Sequence, residues 1–448
     1  MPASERGAMS SGSPRETPVS AWSAAVMLLT QWIETGERSD VLLEQIPRGI
    51  VGQERARAQS LFFGAIRHFG RLNRHLTGLV SRTPRPRLQA ILLVAGFELL
   101  EGGDEHHVAR VVHHAVEQSK TLASEAEARL VNAVVRKLAG ALATEAEPPK
   151  LAPAEVLAAY YSHPEWLVRR WLAQFGAGPT RALLEWNQKP GPMYARWRLT
   201  DRPPSEAELV FLTPTAWPGY FEVRPGHWAD ITRLLDEGVI YLQDPSTRVP
   251  IELLDPVPGK AIIDTCSAPG GKSVAIADLL AAQGAAAKGT LLVSLDLPGK
   301  RIDRLKENLN KIKGVDVALV QADVLEAGKI LKLHELPLQY ARVLVDVPCS
   351  NTGVMRHRVD VKWRLQETDL EKHARQQVNL LNAASRLVAP QGRLVYSTCS
   401  LDSEENEKVV NAFVERTKGR YTLMKSVLSL PWEAGHDGAA AFVFERRS

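Results

Sequence analysis

The chain has 448 residues, 45% of them hydrophobic and 24% charged, which is enough material for two or three domains with full cores and excludes a low-complexity or collagen-like chain. The formal net charge is only +4, so any preference for a polyanion must lie in how charge is distributed and not in its total. Three cysteines, Cys266, Cys349 and Cys399, are too few for a disulfide framework and fit a reducing compartment.

Residues 1–19 are rich in Ser, Pro, Glu and Arg and lack an apolar core, so they read as a disordered leader and not as a signal peptide. No apolar run approaches the ~18 residues that span a bilayer, and a cytoplasmic protein without membrane contact is expected. Residues 20–145 read as all-helical, with runs over 21–35, 55–76, 86–100, 109–122 and 125–142. Between Arg55 and Phe97 stand eight arginines (Arg55, Arg57, Arg67, Arg71, Arg74, Arg82, Arg85, Arg87) and no acid. A run of one sign suggests a surface that meets phosphate; the other reading is a basic face paired to acids elsewhere in the fold. Residues 143–155 are polar and carry prolines, as a linker does. Residues 155–245 begin with helices near 162–175 and 181–187. Strand and helix signals then alternate (193–199, 205–212, 220–223, 228–238, 239–242), which predicts a small α/β module.

From 246 to 448 strands and helices alternate. Strands are expected at 261–264, 290–296, 315–321, 342–347 and 392–397, with a closing pair at 421–425 and 441–445. Helices follow at 273–282, 299–311, 325–331, 370–388 and 403–418. This pattern predicts a seven-stranded, mostly parallel sheet with right-handed crossovers. The first strand runs into Asp264-Thr-Cys-Ser-Ala-Pro-Gly-Gly-Lys272, a glycine turn opening a helix, where the backbone and helix N-terminus can receive a ligand. The second strand ends at Asp296, placed to hold a vicinal diol, and the third at Asp323, placed to receive an adenine amino group or to cap a helix. The fourth ends at Asp346-Val-Pro-Cys349-Ser and the fifth at Tyr396-Ser-Thr-Cys399-Ser. Neighbouring strand ends would bring two thiols to one cleft beside a nucleoside-type cofactor. No Cys-x-x-Cys or histidine stands at ligand spacing, so a metal is not expected. Two separate thiols suit a nucleophile and a helper, and a helix starting near Ser403 would favour the Cys399 thiolate.

These residues carry a resemblance. Asp264–Lys272, the run Asp346–Arg356 with Asp360-Val-Lys-Trp363, and Tyr396–Ser400 with Glu405-Asn-Glu407 resemble the RNA (cytosine-C5)-methyltransferases in order and spacing. Residues 55–74 and 109–137 are similar to the NusB-type RNA-binding domain that is fused to the bacterial member acting on small-subunit ribosomal RNA. Gln243-Asp244-Pro245-Ser246 matches the segment that precedes the family's catalytic domain. Departures are Ser267 for the usual Ala, Ser273 for Thr, Val347 for Ala, Asn351 for Gly and Val359 for Pro, and Glu125–Arg129 where a Gly-Phe pair is common.

The resemblance implies an α/β architecture: a Rossmann-like seven-stranded methyltransferase domain, a small α/β module before it and an all-α NusB-like N-terminal domain. It implies S-adenosyl-L-methionine as cofactor, held by Cys266, Ser267, Ala268, Pro269, Gly270, Gly271, Lys272, Asp296, Arg301, Asp323 and Asp346. It implies Cys399 as the nucleophile on cytosine C6, Asp346 as the group at N3 and Cys349 as the residue that releases the product. The implied partner is small-subunit ribosomal RNA, contacted by Arg55, Arg67, Arg71, Arg74, Arg356, Arg358 and Lys362, with the protein a monomer. Lys272 is left with two possible partners, a cofactor carboxylate or Asp346. A transfer-RNA methyltransferase shares the catalytic motifs, and a non-catalytic ribosome assembly factor would share the fold; the two thiols speak against the latter.

Overall fold

The computed structural model describes residues 20–447; the leader expected at 1–19 lies outside them. The chain divides into two compact units, one ending at Glu145 and one beginning at Ala146.

The first unit is a bundle of α1 (Ala21–Thr35), α2 (Ser39–Leu43), α3 (Gly52–Arg67), α4 (Phe69–Leu79), α5 (Pro86–Leu100), α6 (Glu105–Leu122) and α7 (Glu125–Ala143). Ser20, Asp104 and Ser124 cap α1, α6 and α7 by accepting a backbone N–H in the first turn. Trp22, Leu28, Leu29, Leu61, Phe62, Ile91 and Val131 are each at most 2% exposed, and each such burial contributes about 1.5–3 kcal/mol. The helix expected over 55–76 is two helices broken at His68, which lets Phe69 meet Trp32 edge-on at 5.2 Å.

The basic run is largely absorbed by the fold. Arg57 pairs with Glu98 and Glu101 at 2.8 and 2.7 Å, and Arg85 with Glu127 at 2.7 Å. Arg71 lies 2.7 Å from Glu145, which also takes Arg74. Arg67 is buried. The acids lie beyond residue 97, outside the window in which the run looks unopposed. The expectation that Arg67 and Arg71 present free charge to RNA is corrected accordingly, while Arg74 is paired but exposed and Arg55 half-exposed.

The second unit opens with α8 (Ala154–Tyr160), α9 (Glu165–Phe175) and α10 (Ala177–Gln188). A four-stranded antiparallel sheet follows, built from β1 (Tyr194–Trp197), β2 (Leu212–Pro214), β3 (Tyr220–Val223) and β4 (Ile240–Leu242) in the order β2-β3-β1-β4, with α11 (Glu206–Leu209) and α12 (Trp228–Asp236) between strands. Ile231, Leu234, Ala195 and Leu212 form its core. After α13 (Arg248–Leu254) the chain enters the large sheet: β5 (Ile262–Thr265), α14 (Gly271–Ala281), β6 (Leu291–Asp296), α15 (Ile302–Leu309), β7 (Asp316–Gln321), α16 (Ala327–Leu333) and β8 (Tyr340–Asp346). It continues through α17 (Val361–Arg364), α18 (Glu367–Ser385), β9 (Val388–Thr398), α19 (Glu407–Thr417), β10 (Tyr421–Ser429), α20 (Pro431–Ala434) and β11 (Ala439–Arg446).

The strand order is β10-β11-β9-β8-β5-β6-β7, parallel from β9 to β7 and closed by antiparallel β11 and β10. The order reverses between β5 and β8, where open α/β sheets bind ligands at the carboxyl ends of their strands. The central strands are buried on both faces, as Ile262, Ile263, Val343, Leu344, Leu394 and Val395 at 0% exposure show. One boundary matters for the site. The last long helix begins at Glu407 and not near Ser403, so Cys399 does not sit at a helix N-terminus. Residues 400–406 instead form a hydrogen-bonded loop.

Candidate active site

At the carboxyl ends of β5 and β8 lies a cleft of about 280 Å³ lined by Asp264, Cys266 to Pro269, Gly271, Lys272 and Asp346. Tyr241, Gln243, Asp244 and Thr247 line it from the segment after the small sheet. Asp264 ends β5 with no exposure, accepting from Ser273 Oγ at 2.6 Å, while Ser294 Oγ donates to Ser273 at 2.9 Å. Its Oδ1 has no hydrogen-bond partner among the described residues. Burial pushes its carboxyl up to about 7, against the pull of Ser273.

The turn is pinned by Asp296. Its Oδ2 accepts from Ala268 N at 2.7 Å and its Oδ1 from Leu297 N at 2.7 Å. Gly270 has φ +106, and a Cβ there would lie 3.0 Å from Leu305. A Cβ on Gly271 would lie 3.1 Å from both Gln243 and Tyr241. The glycines therefore admit α15 and the 241–243 segment against the turn. Asn308 fastens this packing by donating to Pro269 O at 2.8 Å and to Tyr241 at 3.1 Å. Asp323 caps the turn at 324–326 by accepting from Leu325 N at 2.9 Å, and Arg301 lies exposed at the start of α15. Cys266 sits in the turn with φ 67, and burial pushes its thiol well up, which makes it an inert packing residue.

Of the two partners left open for Lys272, the structure pairs it with Asp346, Nζ to Oδ2 at 2.6 Å. Burial opposes its charge, but Asp346 outweighs that and the ammonium stays above its ordinary range. Ser397 Oγ donates to the other oxygen of Asp346 at 2.7 Å, across the register pair that joins β8 to β9.

The same pairing brings the two thiols together. Cys349 Sγ and Cys399 Sγ are 3.1 Å apart. The hydrogen bond shared with Cys399, followed by burial, pushes the Cys349 thiol well up, so Cys349 is the member that keeps its proton. Asn351, at φ 63, donates Nδ2 to Cys349 O at 2.8 Å and turns Oδ1 to Cys399 Sγ at 3.3 Å.

Behind the thiols lies a buried polar network. Glu405 accepts from Ser350 N at 2.9 Å, from Ser350 Oγ, and from Gln377 Nε2 at 2.8 Å. Gln377 also donates to Pro348 O at 3.0 Å. Thr398 Oγ1 donates to Asn406 at 2.8 Å, and Asn406 donates to Ser400 O at 2.9 Å. Gly353 donates to Cys399 O at 2.9 Å and accepts from Gly438 N at 2.8 Å.

The loop residues expected to face RNA divide. Arg356 lies 4.1 Å above the Trp186 ring and donates to Pro190 O at 3.0 Å, and Arg358 is exposed. Lys362 is 1% exposed, so its expected contact with RNA phosphate is corrected: it is an interior residue. The sequence reading missed the cleft-lining role of Tyr241, Gln243, Asp244 and Thr247, although the Gln243–Ser246 match was its signal. It also missed Asn308 and the contact of Asn351, which no local pattern marks.

A doubly wound sheet with a glycine turn at its switch point and a thiol pair beside it is the arrangement that the resemblance to the S-adenosylmethionine-dependent methyltransferases implies. Residues 251–432 match the family described as 16S rRNA methyltransferase RsmB/F, and residues 20–140 match the NusB family. The chain thus joins a NusB-family unit to a methyltransferase domain of the RsmB/F family. It is 28% identical over 410 residues to ribosomal RNA small subunit methyltransferase B of Cronobacter sakazakii, covering 88% of this chain and 90% of that one. It is 29% identical to the probable ribosomal RNA small subunit methyltransferase B of Bacillus subtilis, covering 84% of each. In fold it is similar to the crystal structure of PH0851, with a TM-score of 0.75 at 20% identity over 96% of this chain and 99% of that one. It is also similar to NSun6 from Pyrococcus horikoshii with SFG, with a TM-score of 0.52 at 19% identity over 64% of this chain and 98% of that one. Among the described residues no helix is long and apolar enough to cross a membrane.

Proposed function

We propose that this protein methylates C5 of a cytosine in small-subunit ribosomal RNA, in the cytoplasm, through a transient bond between Cys399 and C6. The observation that carries the reading is the 3.1 Å thiol pair beside the cleft. The cleft suits the cofactor: Ala268, Pro269 and Gly271 line it beside Lys272, and Asp264 Oδ1, buried and without a hydrogen-bond partner among the described residues, suits a donor such as an ammonium. When bound there, S-adenosylmethionine supplies an electrophilic methyl on a sulfonium.

The chain's own residues do the rest. Cys399 Sγ adds to C6, which makes C5 enamine-like and nucleophilic. Cys349, holding its proton, donates to the attacking sulfur. As Cys399 adds, N3 takes up the proton that the thiol gives up, and Asp346, held by Lys272 and Ser397, is the group that passes it there and hydrogen-bonds it. Once Cys399 is bonded to carbon, the negative charge that kept Cys349 protonated is gone. Cys349 can then give its proton to water and, as a thiolate, take the C5 proton; the C5–H electrons re-form the C5–C6 double bond, the Sγ–C6 bond breaks to return the Cys399 thiolate, and N3 gives back its proton. The base must leave its stack to reach both sulfurs. Arg55, Arg356 and Arg358 are the phosphate contacts of this reading, with residues 20–145 as the RNA-binding domain.

A covalent-trapping gel tests it. Wild type, Cys349→Ala and Cys399→Ala are mixed with unmodified small-subunit RNA and cofactor and run under denaturing conditions. A protein–RNA adduct is expected to accumulate in Cys349→Ala and to be absent in Cys399→Ala. Adduct in Cys399→Ala alone would exchange the two roles, and no adduct with no methyl transfer would remove the reading.

A further inference from the structure

His357 stands in the middle of the Asp346–Trp363 motif, yet the proposed chemistry does not use it. Its Nδ1 lies 2.9 Å from Asp437 Oδ2 and its Nε2 lies 3.1 Å from Pro192 O. A carboxylate and a carbonyl oxygen are both acceptors, so each ring nitrogen must carry a hydrogen. The ring is an imidazolium, fixed by geometry alone. A second carboxylate, Asp244, presents a ligand atom within 4.8 Å of the other two groups. Asp244 Oδ1 accepts from Asp437 N at 3.2 Å, while Asp244 Oδ2 and Asp437 Oδ1 have no hydrogen-bond partner among the described residues. Asp437 is 5% exposed and Asp244 half-buried, while the His357 side chain keeps 34% exposure, so the two acids face each other with the histidine closing the site on its solvent side.

These residues sit on segments that meet beside the cleft and the thiol loops. Asp244 lines the cleft itself. Asp437 precedes Gly438, whose N–H bonds Gly353 O at 2.8 Å, and Gly353 in turn bonds Cys399 O at 2.9 Å. Gly438 is packed so closely that a Cβ would lie 2.8 Å from Gly353 Cα. Pro192 follows Gly191, where any Cβ would collide with the His357 ring. His357 thus ties the segment at 190–192, the cleft-lining Asp244 and the loop behind Cys399 to the motif loop that carries Cys349 and Arg356.

We infer that His357 is a positioning residue: as an imidazolium it neutralises the Asp244–Asp437 pair and holds the thiol-bearing loops together, and its deprotonation releases them. The charged groups around it on every packed element are Asp437 and Asp244, with Arg356, Tyr194 and Glu222 nearby. Burial pulls the histidine down, but the Asp437 hydrogen bond and charge outweigh it and raise it above its ordinary value. Burial followed by the charge of Asp437 raises Asp244 as well, as expected of acids held together. A histidine raised on folding gives its full stabilisation below the unfolded value of about 6.5 and loses it as pH rises through the folded value.

The inference leans on the proposed methylation only for one of its two readouts. The first readout is a double-mutant cycle of His357→Gln and Asp437→Asn in unfolding by urea. Coupling of about tenfold in the unfolding equilibrium is expected near pH 6, shrinking toward none near pH 9. Gly191→Ala, which changes no charge, should lose the same coupling. The second readout is single-turnover methyl transfer against pH. Wild type should show a falling alkaline limb, His357→Arg should keep activity across it, and His357→Gln should be about tenfold slower at every pH with no such limb. Coupling that is absent or does not change with pH overturns the inference, as does an alkaline limb that persists in His357→Arg. A stoichiometric stabilisation of the apo protein by zinc that needs all three residues would overturn it in favour of a metal site. If no variant methylates any RNA, the urea cycle still decides the inference while the proposed function falls.

Discussion

At the scale of single residues, the sulfur of Cys399 is met by two opposed neighbours. Cys349 offers it an S–H, which favours a thiolate, and Asn351 offers it a carbonyl oxygen, which opposes one. Asn351 cannot turn its amide around, because Nδ2 is occupied by Cys349 O. Asn351→Gly suits the positive φ and removes the opposing oxygen, so alkylation of Cys399 by iodoacetamide should quicken several-fold. Asn351→Asp should slow it by about tenfold, and Cys349→Ala should slow it as well. Peptide mass spectrometry against time at one fixed pH reads all three, and equal rates in Asn351→Gly and Asn351→Asp would refute this reading of Asn351. The strand-end residues were legible in the sequence, since Asp264, Asp296, Asp346 and Cys399 each close an apolar run. The reach of Asn351 and the burial of Lys362 were not, because both depend on how a loop folds back and not on spacing along it.

At the scale of elements, β8 and β9 lead into the two thiol turns and the loop after β9 supports them. A helix over 403–418 was expected from apolar spacing, but the first turn of that window is used otherwise. Asp402, Glu405 and Asn406 turn inward to hydrogen-bond the two thiol turns. Functional loops override helical propensity in this way, and short elements such as α13, α17 and α20 escape detection because they hold too few periodic positions. Glu405 shows what the loop contributes. Three donors converge on its carboxylate, and a Gln amide in its place would point an NH₂ at one of them. Glu405→Gln should therefore cost about 1–3 kcal/mol of stability and slow methyl transfer about tenfold by loosening the Pro348–Ser350 turn. A urea midpoint and a methyl-transfer rate both equal to wild type would show that the network does not position Cys349.

At the scale of the whole molecule, the site is assembled from buried charge, and the fold bears the cost as a dependence on pH. Asp264 is held near 7 and Asp402 near 6, both chiefly by burial. A carboxyl raised on folding stays protonated in the native state while the unfolded chain ionises, so stability falls as pH rises from about 4 through the raised value. The histidine latch has the same direction at higher pH, because its stabilisation disappears as His357 loses its proton. The apo protein should thus be most stable on the mildly acidic side of neutrality and weaken toward alkaline pH. Asp264→Asn removes one contribution and should raise stability near pH 8 by an amount on the order of 2–4 kcal/mol, with the gain vanishing near pH 4. Asp402→Asn should behave alike with a smaller gain, since its shift is smaller. The two differ in what else they lose: Asp264 faces the cleft and Asp402 does not. Asp264→Asn should therefore weaken S-adenosylmethionine binding measured by calorimetry while Asp402→Asn leaves it near wild type. A stability gain without loss of cofactor affinity in Asp264→Asn would mean that its unpaired oxygen is not aimed at the ligand, and that the buried acid serves the fold alone.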